Sequence, residues 1–151
     1  MHITEILNAD RIICNADISS KKSALEELSR LIAGTSSSLS YTEIFDCLNA
    51  RERLGSTGLG KGVAIPHARY QGILEPTAAI LQLKTPVDYD AIDQKPVDLL
   101  FGLVVPEDAT EEHLQILAGI AKICGDEFLL NKLRFSSSPE ELFKSLQNKC
   151  P

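Results

Sequence analysis

Eight residues, Gly55-Ser-Thr-Gly-Leu-Gly-Lys-Gly62, carry four glycines, and they restrict the folding of this chain more than any other stretch. A glycine lowers helix stability by about 1 kcal/mol and leaves a strand without side chains to pack. A loop of unusual backbone shape is therefore expected, with neither helix nor strand in it. Val63-Ala-Ile65-Pro66 follows and reads as a short strand stopped at Pro66, which has no N–H to give a ladder. His67 comes next, at the strand's end, on the carboxyl side where α/β folds gather ligands.

The flanking segments alternate helix and strand signals. Ser20 and Ser23 are two candidate caps, Ser23 pairing with Glu26 as a capping box, before Leu25, Leu28 and Ile32 at helical spacing; Gly34 closes that helix. Ser40 and Glu43 form a second box, opening a helix to about Ala50 or Arg53. Strands are expected at Thr77–Leu83 and Val97–Val105, with a short edge strand at Val87–Tyr89 between them. The Val97–Val105 run is apolar at nearly every position, which fits a central strand covered on both faces. Thr110 is a cap for a helix with Leu114, Leu117, Ala121 and Cys124 on one stripe, and Glu127–Arg134 is a shorter helix. Ser138-Pro139-Glu140-Glu141 combines a cap, a first-turn proline and a capping-box glutamate ahead of a last helix. The expected fold is α/β, a single-domain sandwich over residues 1–151 with a mixed, partly parallel sheet flanked by helices.

Composition narrows the function classes. Hydrophobic residues make up 44%, enough for a full core, and 15 Lys plus Arg against 21 Asp plus Glu give −6 at pH 7. An acidic chain lacks the basic face that replaces counterions on nucleic-acid phosphates. No apolar run nears the roughly 20 residues of a membrane span, and no export signal opens the chain, so a soluble cytoplasmic domain without membrane insertion is expected. Cys14, Cys47, Cys124 and Cys150 lie far apart with no C-x-x-C, which fits incidental thiols and no metal site.

Gly55-x4-Gly60-Lys61 approaches a P-loop, but Gly62 stands where Ser or Thr would hold magnesium, and the loop leads into a strand instead of a helix. A different chemistry suits the segment better. Pro66 fixes the backbone beside His67, Gly58 and Gly60 let main-chain N–H groups approach an anion, and Ser56 and Thr57 add hydroxyls. Arg51, sixteen residues before His67, is a permanent cationic fork suited to phosphate. A nucleophile with an anion cradle is equipment for accepting a phosphoryl group on nitrogen. The same residues also fit a capped surface histidine beside a flexible loop. His113, with Ile116 and Leu117 one turn on, faces inward, either as a half-buried histidine bonded to a carbonyl or as a second imidazole beside His67.

The run Arg51-Glu-Arg-Leu-Gly-Ser-Thr-Gly-Leu-Gly-Lys-Gly-Val-Ala-Ile-Pro-His67 resembles the active-site signature of the fructose–mannitol-type IIA domains of the bacterial phosphotransferase system. A second stretch, Asp90 to Pro106 followed by Glu112-His113-Leu114, is most similar to the nitrogen-regulatory branch of that family. The resemblance implies that His67 is phosphorylated at Nε2 by a histidine-phosphorylated HPr-type carrier charged from phosphoenolpyruvate through enzyme I. It implies that His113 and Arg51 are further active-site residues and that no cofactor or metal takes part; on the residues themselves, Ser56, Thr57, Gly58 and Gly60 are expected around the phosphoryl group. Leu54 and Leu59 are candidates for an apolar docking rim. The phosphoryl group has two possible destinations. A regulatory protein would signal to targets such as a potassium transporter or sensor kinase; a sugar-transport IIA would pass the group to a IIB domain. A chain of 151 residues has no room for a fused IIB, which favours regulation.

Overall fold

The computed structural model describes residues 2–109 and 111–149; the expected cap at Thr110 lies outside them. Two 3-10 turns, Ile3–Glu5 and Ala9–Arg11, lead into strand β1 (Ile12–Ala16). Helices α1 (Lys21–Ala33) and α2 (Tyr41–Leu54) follow, then short strands β2 (Gly58–Gly60), β3 (Val63–Ala64) and β4 (His67–Arg69). Long strands β5 (Thr77–Val87) and β6 (Val97–Val105) precede α3 (Glu111–Cys124), α4 (Glu127–Phe135) and α5 (Pro139–Lys149). The strands form one mixed sheet in the order β1-β5-β6-β3-β2, with β4 also paired to β6. The β1–β5, β3–β6 and β4–β6 pairs are parallel, and β5–β6 and β2–β3 are antiparallel.

Strand β6 explains the sandwich. Its side chains alternate between two cores: Leu99, Phe101, Leu103 and Val105 pack with Ile116, Ile120, Leu129, Leu133 and Leu142 of α3–α5. Leu100 and Val104 turn to the other side, where Leu28, Ile32, Ile44 and Leu48 of α1 and α2 lie. Gly102 shares that second face because Leu28 comes so close that a Cβ would stand 3.0 Å from its Cδ2. Gln82 is a buried polar residue in this apolar setting. Its amide N–H groups donate to Leu133 O (2.7 Å) and Ser136 O (2.9 Å), and its oxygen accepts from Asn15 N–H (2.8 Å). Those bonds join β1, β5 and the end of α4 and leave little of the amide unmatched.

Several expectations need correction. The glycine segment is not free of strand: Gly58 pairs with Ala64 and Gly60 with Val63 across a register shift, as a tight hairpin. The reversal runs through Gly60, Lys61 and Gly62 at φ 95°, 58° and 78°, the left-handed region that glycine enters without steric penalty. Ser20, not Ser23, caps α1, its Oγ accepting from Ser23 N–H at 3.1 Å. The capping-box glutamates reach elsewhere, Glu43 accepting from Tyr70 OH and Glu141 from Ser137. No separate edge strand occupies Val87–Tyr89, because β5 itself runs on to Val87 and pairs there with Val97. The buried stripe of α3 is His113, Ile116, Ile120 and Ile123 with Cys124, while Leu114 is 64% exposed. Among the described residues no helix is long and apolar enough to cross a membrane.

Candidate active site

Two elements and a broken strand bring the site together. β3 and β4 lie in line along β6: Val63 and Ala64 sit opposite Leu99 and Leu100, and His67 opposite Leu103. Pro66 interrupts the ladder but its carbonyl still accepts Leu103 N–H at 2.9 Å. His67 was expected at a strand's end; it opens β4, so the sheet holds its main chain. Helix α2 delivers Arg51 in its last turn, and the first turn of α3 delivers His113. A cleft of about 440 Å³ is lined by Arg51, His67, Arg69 and His113, with Cys47, Ala50 and Ala68 beneath. An adjoining hollow of about 230 Å³ joins Arg51 and His67 to Ser56, Thr57, Leu59, Ile65, Leu117 and Ala121.

The orientation of His67 follows from one contact. Its Nδ1 lies 2.8 Å from the carbonyl oxygen of Ile65. A carbonyl only accepts, so in the neutral ring Nδ1 carries the hydrogen and the lone pair is at Nε2. Burial is the main cause holding the His67 pKa below its ordinary value of 6.5; the Ile65 carbonyl pulls the other way and Arg51 adds to the lowering. His113 is shifted the same way, first by burial and then by the nearby His67 and Arg69. The two rings are tilted by 59° with centroids 5.5 Å apart. His113 is 6% exposed, and its Nδ1 is buried with no hydrogen-bond partner among the described residues. Of the two readings of His113 left open by the sequence, a ring bonded to a carbonyl through Nδ1 is absent. A second imidazole beside His67 is what the fold builds.

Arg51 lines both hollows, and its Nη1 donates to Gly55 O at 2.8 Å. Ser56 and Thr57 are beside His67, but their hydroxyl hydrogens are already engaged. Ser56 Oγ donates to Tyr89 O (3.1 Å) and accepts Gly58 N–H (3.1 Å). The Thr57 hydroxyl donates to the Glu52 carboxylate, as does its N–H at 3.2 Å. A hydroxyl has one hydrogen, so these two residues hold the hairpin in place; as they stand they offer none to an anion. Gly58 N–H is occupied likewise, and Lys61 N–H goes to Asp93 at 3.1 Å. On the far side of the hairpin Arg134 pairs with Asp98 at 3.0 Å and donates to Lys61 O.

Sequence reasoning missed Glu52, Tyr89 and Lys21. Glu52 is 8% exposed yet charged by type, and its carboxylate accepts from Tyr89 OH (3.0 Å) and pairs with Lys21 Nζ (2.9 Å). A signal was present, because Ile44, Leu48 and Glu52 step by four along the inward stripe of α2. Among the described residues no group of three His, Cys, Asp or Glu side chains is arranged to hold a metal ion. Leu59, which lines the smaller hollow, is 47% exposed; Leu54, the last residue of α2, is 85% exposed, and Leu114, next to His113 in α3, is 64% exposed.

Residues 5–149 match the family model described as phosphoenolpyruvate-dependent sugar phosphotransferase system, EIIA 2. The chain is 44% identical over 144 residues to a nitrogen regulatory protein of Pseudomonas aeruginosa, covering 95% of this chain and 94% of that one. It is 40% identical over 145 residues to the nitrogen regulatory protein of Escherichia coli, covering 95% and 88% respectively. The crystal structure of nitrogen regulatory protein IIA-Ntr from Neisseria meningitidis superposes with a TM-score of 0.90 at 45% identity, covering 95% of this chain and 98% of that one. With its helices on both faces of a mixed sheet, the chain belongs to the EIIA 2 family of the phosphoenolpyruvate-dependent sugar phosphotransferase system, a family of phosphoryl-transfer components.

Proposed function

We propose that this protein is a regulatory phosphocarrier that takes a phosphoryl group on Nε2 of His67 from the phosphohistidine of an HPr-type protein. The observation that carries the reading is the Nδ1–Ile65 O contact beside Arg51 and His113, which leaves Nε2 as the free nucleophile. The phosphorus–nitrogen bond to the donor ring breaks as the bond to Nε2 forms, and the donor imidazole leaves with the electron pair. Charge spreads over the equatorial oxygens of a loose transition state, where the Arg51 guanidinium and the His113 ring stand ready to meet it. After transfer, positive charge on the phosphorylated ring concentrates at Nδ1–H, and the Ile65 carbonyl stabilises it. Gly58 and Gly60 shape the hairpin that walls this pocket, with Ser56 and Thr57 fixing its position.

The nitrogen regulatory relatives support an output carried by the phosphorylation state itself. In this reading the protein works in the cytoplasm, downstream of enzyme I and HPr, and its targets are proteins such as potassium transporters or sensor kinases. The test is intact-protein mass after incubation with phosphoenolpyruvate, enzyme I and HPr. One HPr-dependent, acid-labile phosphoryl group is expected in the native chain and none in His67→Ala. Persistent labelling of His67→Ala would move the acceptor elsewhere. Rapid loss of the label to a sugar-specific IIB domain, coupled to sugar phosphorylation, would instead select the transport role.

A further inference from the structure

We propose that Glu52 is a positioning residue that sets which nitrogen of His67 is free, through a hydrogen-bonded relay running from Glu52 to Thr57, Ile65 and His67. The proposal rests on His67 being the phosphoryl acceptor. It begins at a carboxylate that the fold surrounds with donors: Lys21 Nζ at 2.9 Å, Tyr89 OH at 3.0 Å, Thr57 N–H at 3.2 Å and the Thr57 hydroxyl. A buried carboxylate is retained when donors match it this fully, and the matching fixes the donors as firmly as the acceptor. Thr57 is thereby held at both its N–H and its hydroxyl.

The next links are main chain. Thr57 O accepts Ile65 N–H at 3.0 Å, which sets the place of Ile65 across the hairpin. Ile65 O in turn accepts Nδ1–H of His67 at 2.8 Å. A shift of Thr57 therefore moves the carbonyl that selects the tautomer. When that carbonyl swings away, the form with hydrogen on Nε2 gains population, and that form has no lone pair at Nε2 to offer phosphorus. Tyr89 reinforces the arrangement from below. It is fully buried, its carbonyl accepts from Ser56 Oγ (3.1 Å) and Lys21 Nζ (3.2 Å), and Lys21 lies 4.4 Å above its ring. Because Glu52 adjoins Arg51 in the last turn of α2, the same contacts keep that helix end in register with the hairpin.

The relay is tested on the 15N-labelled imidazole by NMR at neutral pH, alongside the phosphoryl-labelling rate at saturating HPr. The native ring is expected to carry hydrogen on Nδ1 alone. Glu52→Gln keeps the side-chain volume but removes the charge facing Lys21 and halves the acceptor capacity. The expected result is a measurable fraction of His67 with hydrogen on Nε2 and a labelling rate about tenfold lower, with urea unfolding still a single transition. Tyr89→Phe removes one donor and should move both readouts the same way by less; it decides the matter alone if Glu52→Gln does not fold. Ring nitrogens indistinguishable from the native protein in both variants overturn the proposal, whatever happens to stability, since a role confined to stability leaves the tautomer untouched. If the native chain takes no phosphoryl group from any HPr-type donor, the acceptor reading falls, and the nitrogen spectra still decide whether Glu52 governs the ring.

Discussion

Burial is the first cause that keeps both cleft imidazoles, His67 and His113, below the ordinary pKa of 6.5, so at neutral pH each is uncharged. Protonation would occupy the lone pair that Nε2 needs. The labelling rate of His67 is therefore expected to stay level through neutral pH and to fall only on acidification below about 6.5, as a pH series of initial rates will report. Arg51 is one of the causes that lowers the His67 pKa, so Arg51→Gln should raise the midpoint of the ring's NMR titration. The same shifts act on stability. A histidine with a depressed folded pKa binds fewer protons folded than unfolded. Its stabilising share is complete above the unfolded value and is lost as pH falls through that value towards the folded one. Urea midpoints should decline on acidification across that window, and the His67→Gln/His113→Gln double variant should lose this part of the decline.

Among the elements, the β2–β3 hairpin and helix α3 give opposite responses to the same change. A Cβ on Gly58 would stand 2.7 Å from Ala91 Cβ and 2.8 Å from its Cα, so Gly58→Ala should lower stability by about 1–3 kcal/mol. Gly119, in α3, has no heavy atom within 4 Å of the added Cβ. Gly119→Ala should instead raise stability by about 1 kcal/mol, measured by urea unfolding. These two elements also mark how far the sequence could be read. Strand β6 and helices α4 and α5 were legible because apolar runs and caps are local signals. The hairpin was not, because glycine density forecasts left-handed backbone but says nothing of the antiparallel pairing that such backbone permits. Strand β1 was missed: it is five residues long, holds Asn15 at φ 54°, and takes its partner β5 from far along the chain. The family resemblance gathered His67, Arg51 and His113 into one site; residue type and spacing alone left two readings open for each histidine. For Glu52 the inward stripe of α2 signalled burial but not its partners, since Lys21 and Tyr89 reach it from separate elements that only the folded sheet brings beneath the hairpin.

Over the whole molecule, two cores clamp the sheet, and three exposed leucines lie near cleft residues along the chain: Leu54 three residues after Arg51, Leu59 in the smaller hollow, and Leu114 next to His113. In the proposed transfer two imidazoles share one phosphorus, so a donor protein would press against the face that carries His67. Leu114→Lys should raise the KM for HPr by about tenfold, and urea unfolding should stay within about 0.5 kcal/mol of the native protein because the side chain buries little. If the donor and the target dock on the same leucines, the same variant weakens both, which binding measurements with each partner will report. The hairpin beside His67 is tied in front by Glu52 and behind by Arg134 and Asp93. A phosphoryl group on His67 would add about −1.5 to −2 charges beside this tied hairpin. In the proposed regulatory reading the message would then be carried by that charge. Its reach would be about one Debye length, roughly 8 Å at physiological salt, so a listener would have to lay its surface flush against the His67 cleft to hear it.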